Sequence, residues 1–84
     1  MNNDQAVTVL NDVAFTYANE PDTEANRAEL AEQFDEILNM GDMYVTTAVN
    51  SAIRKIGDGV DYKTVLNELV ALSEEMLDEI MQGY

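Results

Sequence analysis

An all-α fold, a small four-helix bundle with short connections and its longest helix C-terminal, is predicted by three features of the sequence. One proline and four glycines divide the 84 residues into four segments. Each segment repeats its apolar residues every three or four positions, the period of a helix face. Each of the last three opens on an Asp or Thr, where a helix needs a side-chain acceptor for its first N–H groups. The chain reads as one domain, 1–84, with helices at about 4–18, 22–39, 43–56 and 62–82. Hydrophobic residues make up 46% of it, too many for a disordered chain despite its high charge.

In the first segment Val9, Leu10, Val13 and Tyr17 form a stripe, with Ala6, Val7 and Ala14 beside it and Asn2 or Asn3 as cap. Val7, Thr8, Val9, Val13 and Thr16 are β-branched and lower helix propensity. The adjacent apolar pairs Ala6-Val7 and Val9-Leu10 nevertheless break the alternation that a strand requires. Asn19-Glu20-Pro21-Asp22 is the first break, because Glu20 precedes proline and is biased away from helical dihedrals.

Asp22 or Thr23 then caps a helix with Leu30, Phe34, Ile37 and Leu38 on its apolar face, ended by Gly41. Asp42 caps the third helix, in which Val45, Val49, Ala52 and Ile56 share a face, flanked by Tyr44, Ala48 and Ile53. Arg54 and Lys55 suit the negative end of its dipole, and Gly57-Asp58-Gly59 closes it. Asp61 caps the fourth helix, where Tyr62, Val65, Leu69, Leu72 and Met76 step by threes and fours, the seam spacing of paired helices.

That fourth helix carries more apolar surface than one place in a bundle requires. Its apolar side chains sweep about 180°, where a surface helix needs little more than about 100°. A homodimer is therefore expected, with Leu77, Ile80 and Met81 as the self-association residues.

Composition excludes much chemistry. The chain has no Cys and no His. It therefore lacks a disulfide framework, a thiolate nucleophile, a cysteine zinc site and the commonest general base. A di-iron bundle needs Glu-x-x-His on facing helices, which cannot be written here. The loop from Asp58 fails the calcium template, with Val60 and Tyr62 at ligand positions and Leu69 where a Glu belongs. Gly57-Asp58-Gly59 lacks the Gly-Lys-Ser/Thr of a phosphate loop. Ser51 and Ser73 have no His to activate them and read as packing or surface residues. A glycosidase carboxylate pair is disfavoured by the absence of Trp to floor a sugar cleft. No enzyme activity, metal or cofactor is expected.

With 17 acidic and 4 basic residues the net charge is −13, which repels nucleic acid and anionic membranes. The N-terminus lacks the basic start and apolar stretch of a signal peptide, so a cytoplasmic location is expected. Thirteen of the seventeen acids fall in two stretches, Glu20–Glu36 and Asp61–Glu79, and none lies between Asp42 and Asp58. Glu29, Glu32 and Glu36 project together from the second helix, as do Glu68, Glu75 and Glu79 from the fourth. A solubilising face normally mixes both signs; these stripes do not.

Carboxylates on successive turns lie about 5–6 Å apart, close to the spacing of phosphates along a DNA strand. Such a stripe fits a Lys/Arg-lined groove built for nucleic acid and exploits the same steering. The expected function is a non-enzymatic acidic inhibitor or decoy, a DNA mimic, on the basic surface of a nucleic-acid-handling protein. The six glutamates are its partner-binding residues. Phage-encoded inhibitors of restriction and CRISPR machinery include short, acidic, cysteine-free chains; the likeness is one of composition and size, with no shared motif. The alternative is a small helical adaptor or assembly factor that binds through Leu77, Ile80 and Met81, its acids serving solubility. Met43 and Met81 are candidate contact residues, and Tyr44 and Tyr84 candidate rim residues.

Overall fold

The computed structural model describes residues 3–82 and contains four helices, α1 (Asn3–Ala18), α2 (Glu24–Leu38), α3 (Met43–Gly57) and α4 (Tyr62–Gln82). Among the described residues there is no strand, and no helix is long and apolar enough to cross a membrane. The β-branched content of α1 is thus overridden by burial of its apolar face. Of its expected caps, Asn2 lies, like Tyr84, outside the described residues, and Asn3 is itself the first helical residue rather than a cap.

Caps set the boundaries. The Thr23 hydroxyl accepts from Asn26 N–H at 3.1 Å, so α2 starts at Glu24 rather than 22. Asp22 is freed from capping and instead takes both Nε and Nη2 of Arg27, at 2.6 and 2.8 Å. That bond to Arg27 holds the Asp22 carboxyl below the ordinary carboxylate range. α2 ends one residue short of 39, on Asn39, and the left-handed turn that follows needs Gly41, whose φ is 77°. Asp42 accepts from Val45 N–H at 2.9 Å, and Asp61 from Thr64 N–H at 3.0 Å. α3 runs through Gly57, one residue beyond 56. It closes with Gly59 N–H on the Ile56 carbonyl and Val60 N–H on the Lys55 carbonyl, a Schellman motif built on Gly59 at φ 90°.

Consecutive helices pack as neighbours and α4 returns against α1, while the backbones of α2 and α4 stay apart and these two helices meet through side chains, Arg27 over the Tyr62 ring. The four helices therefore stand in ring order α1-α2-α3-α4. The closest approach is between α1 and α4. They run antiparallel: Asn11 Nδ2 donates to Ser73 Oγ at 2.9 Å, and at the other end Lys63 Nζ donates to the carbonyls of Ala18 and Glu20. Ala6, Ala14 and Ser73 are all 0% exposed, and their small side chains let the two backbones come together.

This close approach rotates two faces away from the expected ones. On α1 the buried residues are Ala6, Val7, Leu10, Val13 and Ala14, and Val9 and Tyr17 drop to the edge. On α4 Tyr62, Val65 and Leu69 are buried as expected. Leu66 and Ser73 join them, while Leu72 is 38% exposed and Met76 only half-buried. On α2 Leu30, Phe34 and Ile37 are buried and Leu38 lies at the edge; on α3 Ala48 is buried and Ile56 is peripheral. Satisfied by Asn11, Ser73 donates onward to the Val70 carbonyl at 2.9 Å, so it is a packing residue rather than a nucleophile.

One buried polar atom is left over. Tyr62 is 1% exposed, and its hydroxyl has no hydrogen-bond partner among the described residues. The Arg27 guanidinium lies 4.6 Å over its ring. Burial first, and then the Asp22 carboxylate, push the Tyr62 hydroxyl above its ordinary value of 10.0, against the pull of Arg27. Removing an unpartnered hydroxyl is favourable by about 1 kcal/mol. Tyr62→Phe is therefore expected to raise the melting temperature by about 4–8 °C. The unfolded chain loses the Tyr62 proton first, so stability is full below pH 10.0 and falls as pH rises through the higher folded value. Thermal melts of Tyr62→Phe should accordingly lose less above pH 10.0 than those of the wild type. A lower melting temperature in the variant would mean that the hydroxyl has a partner.

Candidate functional surface

All six glutamates singled out by the sequence are exposed. The ring order separates them into two groups. On α2, Arg27, Ala31 and Asp35 line a seam with Ile53 and Ile56 of α3. At roughly 100° per residue, Glu29, Glu32 and Glu36 lie on the other flank, toward α1. Tyr17 of α1 registers them: burial, and after it the carboxylates of Glu29, Glu20 and Glu32, push its hydroxyl above the ordinary range.

On α4 the arrangement is reversed. Ser73 and Lys63 mark the α1 flank through their bonds to Asn11 and Ala18. Glu68, Glu75 and Glu79 lie on the α3 flank, where they line depressions shared with α3. The two stripes thus occupy opposite seams of the bundle, α1–α2 and α3–α4. The structure brings the members of each trio together and keeps the trios apart, so one flat partner surface cannot engage both at once.

Compensation is sparse. Among the described residues the ion pairs are Arg27–Asp22 and Lys55–Glu68, the latter at 3.0 Å. Of the six glutamates, Glu68 alone enters one of them. Lys63, which lies beside the α4 acids in sequence, spends its charge on the carbonyls at the end of α1. The last turns of α1, α2 and α4 contain no basic residue. α2 carries Glu36 and α4 carries Glu79 near those negative dipole ends, where an anion is disfavoured. Among the described residues no three carboxylates converge closely enough to hold a cation.

The apolar candidates separate as well. Leu77 and Ile80 are half-buried and pack against the core, whereas Met81 is 73% exposed. Met43 and Tyr44 are exposed at the start of α3, by 78% and 72%. Phe15, 59% exposed on α1, escaped the sequence reading because it falls outside every apolar repeat. A depression of about 480 Å³ lies between α3 and the C-terminal half of α4. Comparisons with protein-family models, curated proteins and solved structures found no match.

Proposed function

We propose that this chain is a non-enzymatic acidic binder that occupies the basic surface of a nucleic-acid-handling protein in the cytoplasm and excludes the nucleic acid. Phage-type counter-defence, against restriction or CRISPR machinery, is one setting for such a protein. The observation that supports this reading is where the charge sits. Glu36 and Glu79 stand in last helical turns, where the fold itself would gain from cations, and of the six exposed glutamates only Glu68 has an ion-pair partner among the described residues. Self-repulsion is tolerated when the same field steers a basic partner and complements it on contact. The opposite placement of the stripes implies one stripe per contact surface.

A second reading, the adaptor, is favoured by the apolar depression against α4 and by exposed Met81. Salt separates the two. The protein is immobilised, a basic partner is captured from the source cells and identified, and its affinity is measured across NaCl concentrations. A decoy complex weakens steeply between about 0.05 and 0.2 M, as phosphate contacts do. An affinity that is flat over that range selects the adaptor.

Self-association is a separate expectation. Leu77 and Met81 lie on the α1 flank of α4, away from its glutamate stripe. Light scattering at micromolar concentration is expected to give twice the 9.4 kDa chain mass. Met81→Glu is the clean probe because that side chain is exposed, whereas changes at Leu77 or Ile80 also disturb the core. A wild-type monomer at all concentrations refutes the dimer.

A further inference from the structure

Beyond Leu72 the α3–α4 seam opens into the depression of about 480 Å³. Its floor is apolar, formed by Leu72, Met76 and Ile80 of α4 with Val7 of α1 behind them. Tyr44 stands on the α3 wall, and Glu75 and Glu79 form the outer rim of the α4 wall. Toward the connecting turn the seam continues as a shallow trough over Ala48 and Ala52, closed by the Lys55–Glu68 pair. From Glu68 to Ile80 the seam runs for about 18 Å at roughly 1.5 Å per residue, the length of three helical turns.

We propose that the α3–α4 groove is the docking site for an amphipathic helix of a basic partner protein. Its apolar side lies on Leu72, Met76 and Ile80, and its Lys or Arg side chains lie against Glu75 and Glu79. Charge complementarity selects this occupant. Helix-in-groove recognition uses apolar anchors at i, i+4 and i+7, about the span available here. The acidic rim demands cations beside those anchors, and neither rim glutamate has an ion-pair partner among the described residues. A second copy of the chain would bring its own −13 charge onto that rim. This assignment rests on the reading of the chain as a binder of basic proteins, and adds the shape of the element that it grips.

The test uses the full chain and a labelled synthetic helix of about 16 residues, with leucines at i, i+4, i+7 and i+11 and lysines beside them. Two control peptides carry the same residues scrambled, or glutamate in place of lysine. In about 0.15 M salt, where the Debye length is about 8 Å, the amphipathic basic peptide is expected to bind at least tenfold tighter than either control. Glu75→Lys/Glu79→Lys and, separately, Leu72→Glu should each weaken it tenfold or more. Leu72 is already 38% exposed, so its replacement is expected to leave the fold in place, and an unchanged melting temperature is the check. Glu29→Lys/Glu32→Lys/Glu36→Lys should change binding less than twofold, because that stripe lies across a bundle 19–22 Å wide. The groove assignment is overturned if the scrambled peptide binds equally or if the α2 and α4 variants lose equally. It is also overturned if the wild-type chain forms a dimer that Leu72→Glu dissolves. If the peptide does not bind while the chain still displaces duplex DNA from its captured partner, the groove fails and the decoy reading stands. If the peptide binds but displacement fails, the groove stands and the decoy reading fails.

Discussion

Replacing Glu75 and Glu79 together by lysine is expected to weaken the complex with a basic partner by tenfold or more, and Glu79→Lys alone to stabilise the free protein. Both side chains are exposed, four residues apart on α4, and neither has an ion-pair partner among the described residues. In the wild type they repel each other. Glu79→Lys turns the repulsion into a Glu-to-Lys pair in the favourable orientation, and puts the first cation into the last turn of α4. These gains total about 0.5–1 kcal/mol, a rise in melting temperature of about 3–6 °C. The double reversal takes the net charge from −13 to −9 and replaces attraction by repulsion at the contact. The loss should appear first in the association rate, because rim charges act chiefly on encounter. Salt should reproduce both effects in the wild type. The Debye length is about 10 Å at 0.1 M, so moderate NaCl raises the melting temperature while it weakens the complex. A variant that binds as tightly as the wild type reduces the α4 stripe to a solvated face.

Phe34→Ala is expected to have the largest effect on the fold. Phe34 is 2% exposed and is the largest apolar side chain with which α2 meets the core, between Leu30 and Ile37. Truncating a buried Phe costs about 3–5 kcal/mol, partly for lost transfer and partly for the cavity. A domain of this size has a total stability of about 4–13 kcal/mol. The melting temperature should fall by about 12 °C or more, and the urea midpoint should drop with an unchanged slope. A loss below about 1 kcal/mol would mean that α2 is not docked through this ring.

Much of the fold was legible because its punctuation is local. Asp42 and Asp61 cap α3 and α4 as read, and Gly41 and Gly59 supply the left-handed turns. The rotation of α1 and α4 was not legible. It depends on Ala6, Ala14 and Ser73, small residues whose place inside or outside is decided only by how closely a second helix approaches. The same approach turns Leu72 outward and satisfies Ser73 through Asn11, sixty-two residues away in the chain. Exposure of the six glutamates was legible from charge alone. Their division between opposite seams was not, since it follows from the ring order of the helices. The Lys55–Glu68 pair and the use of Lys63 as a cap for α1 are likewise contacts between helices that no spacing rule reveals.

Mutual exclusion tests the central claim most directly. The captured partner is first loaded with labelled duplex or single-stranded nucleic acid, and this chain is then added at increasing concentration. Sedimentation of the mixture resolves binary from ternary species. The account predicts that bound nucleic acid is released in step with protein binding, with no ternary complex, and that Glu75→Lys/Glu79→Lys shifts the release to a tenfold or higher concentration of the chain. A stable ternary complex, in which partner, nucleic acid and this chain sediment together, would contradict it.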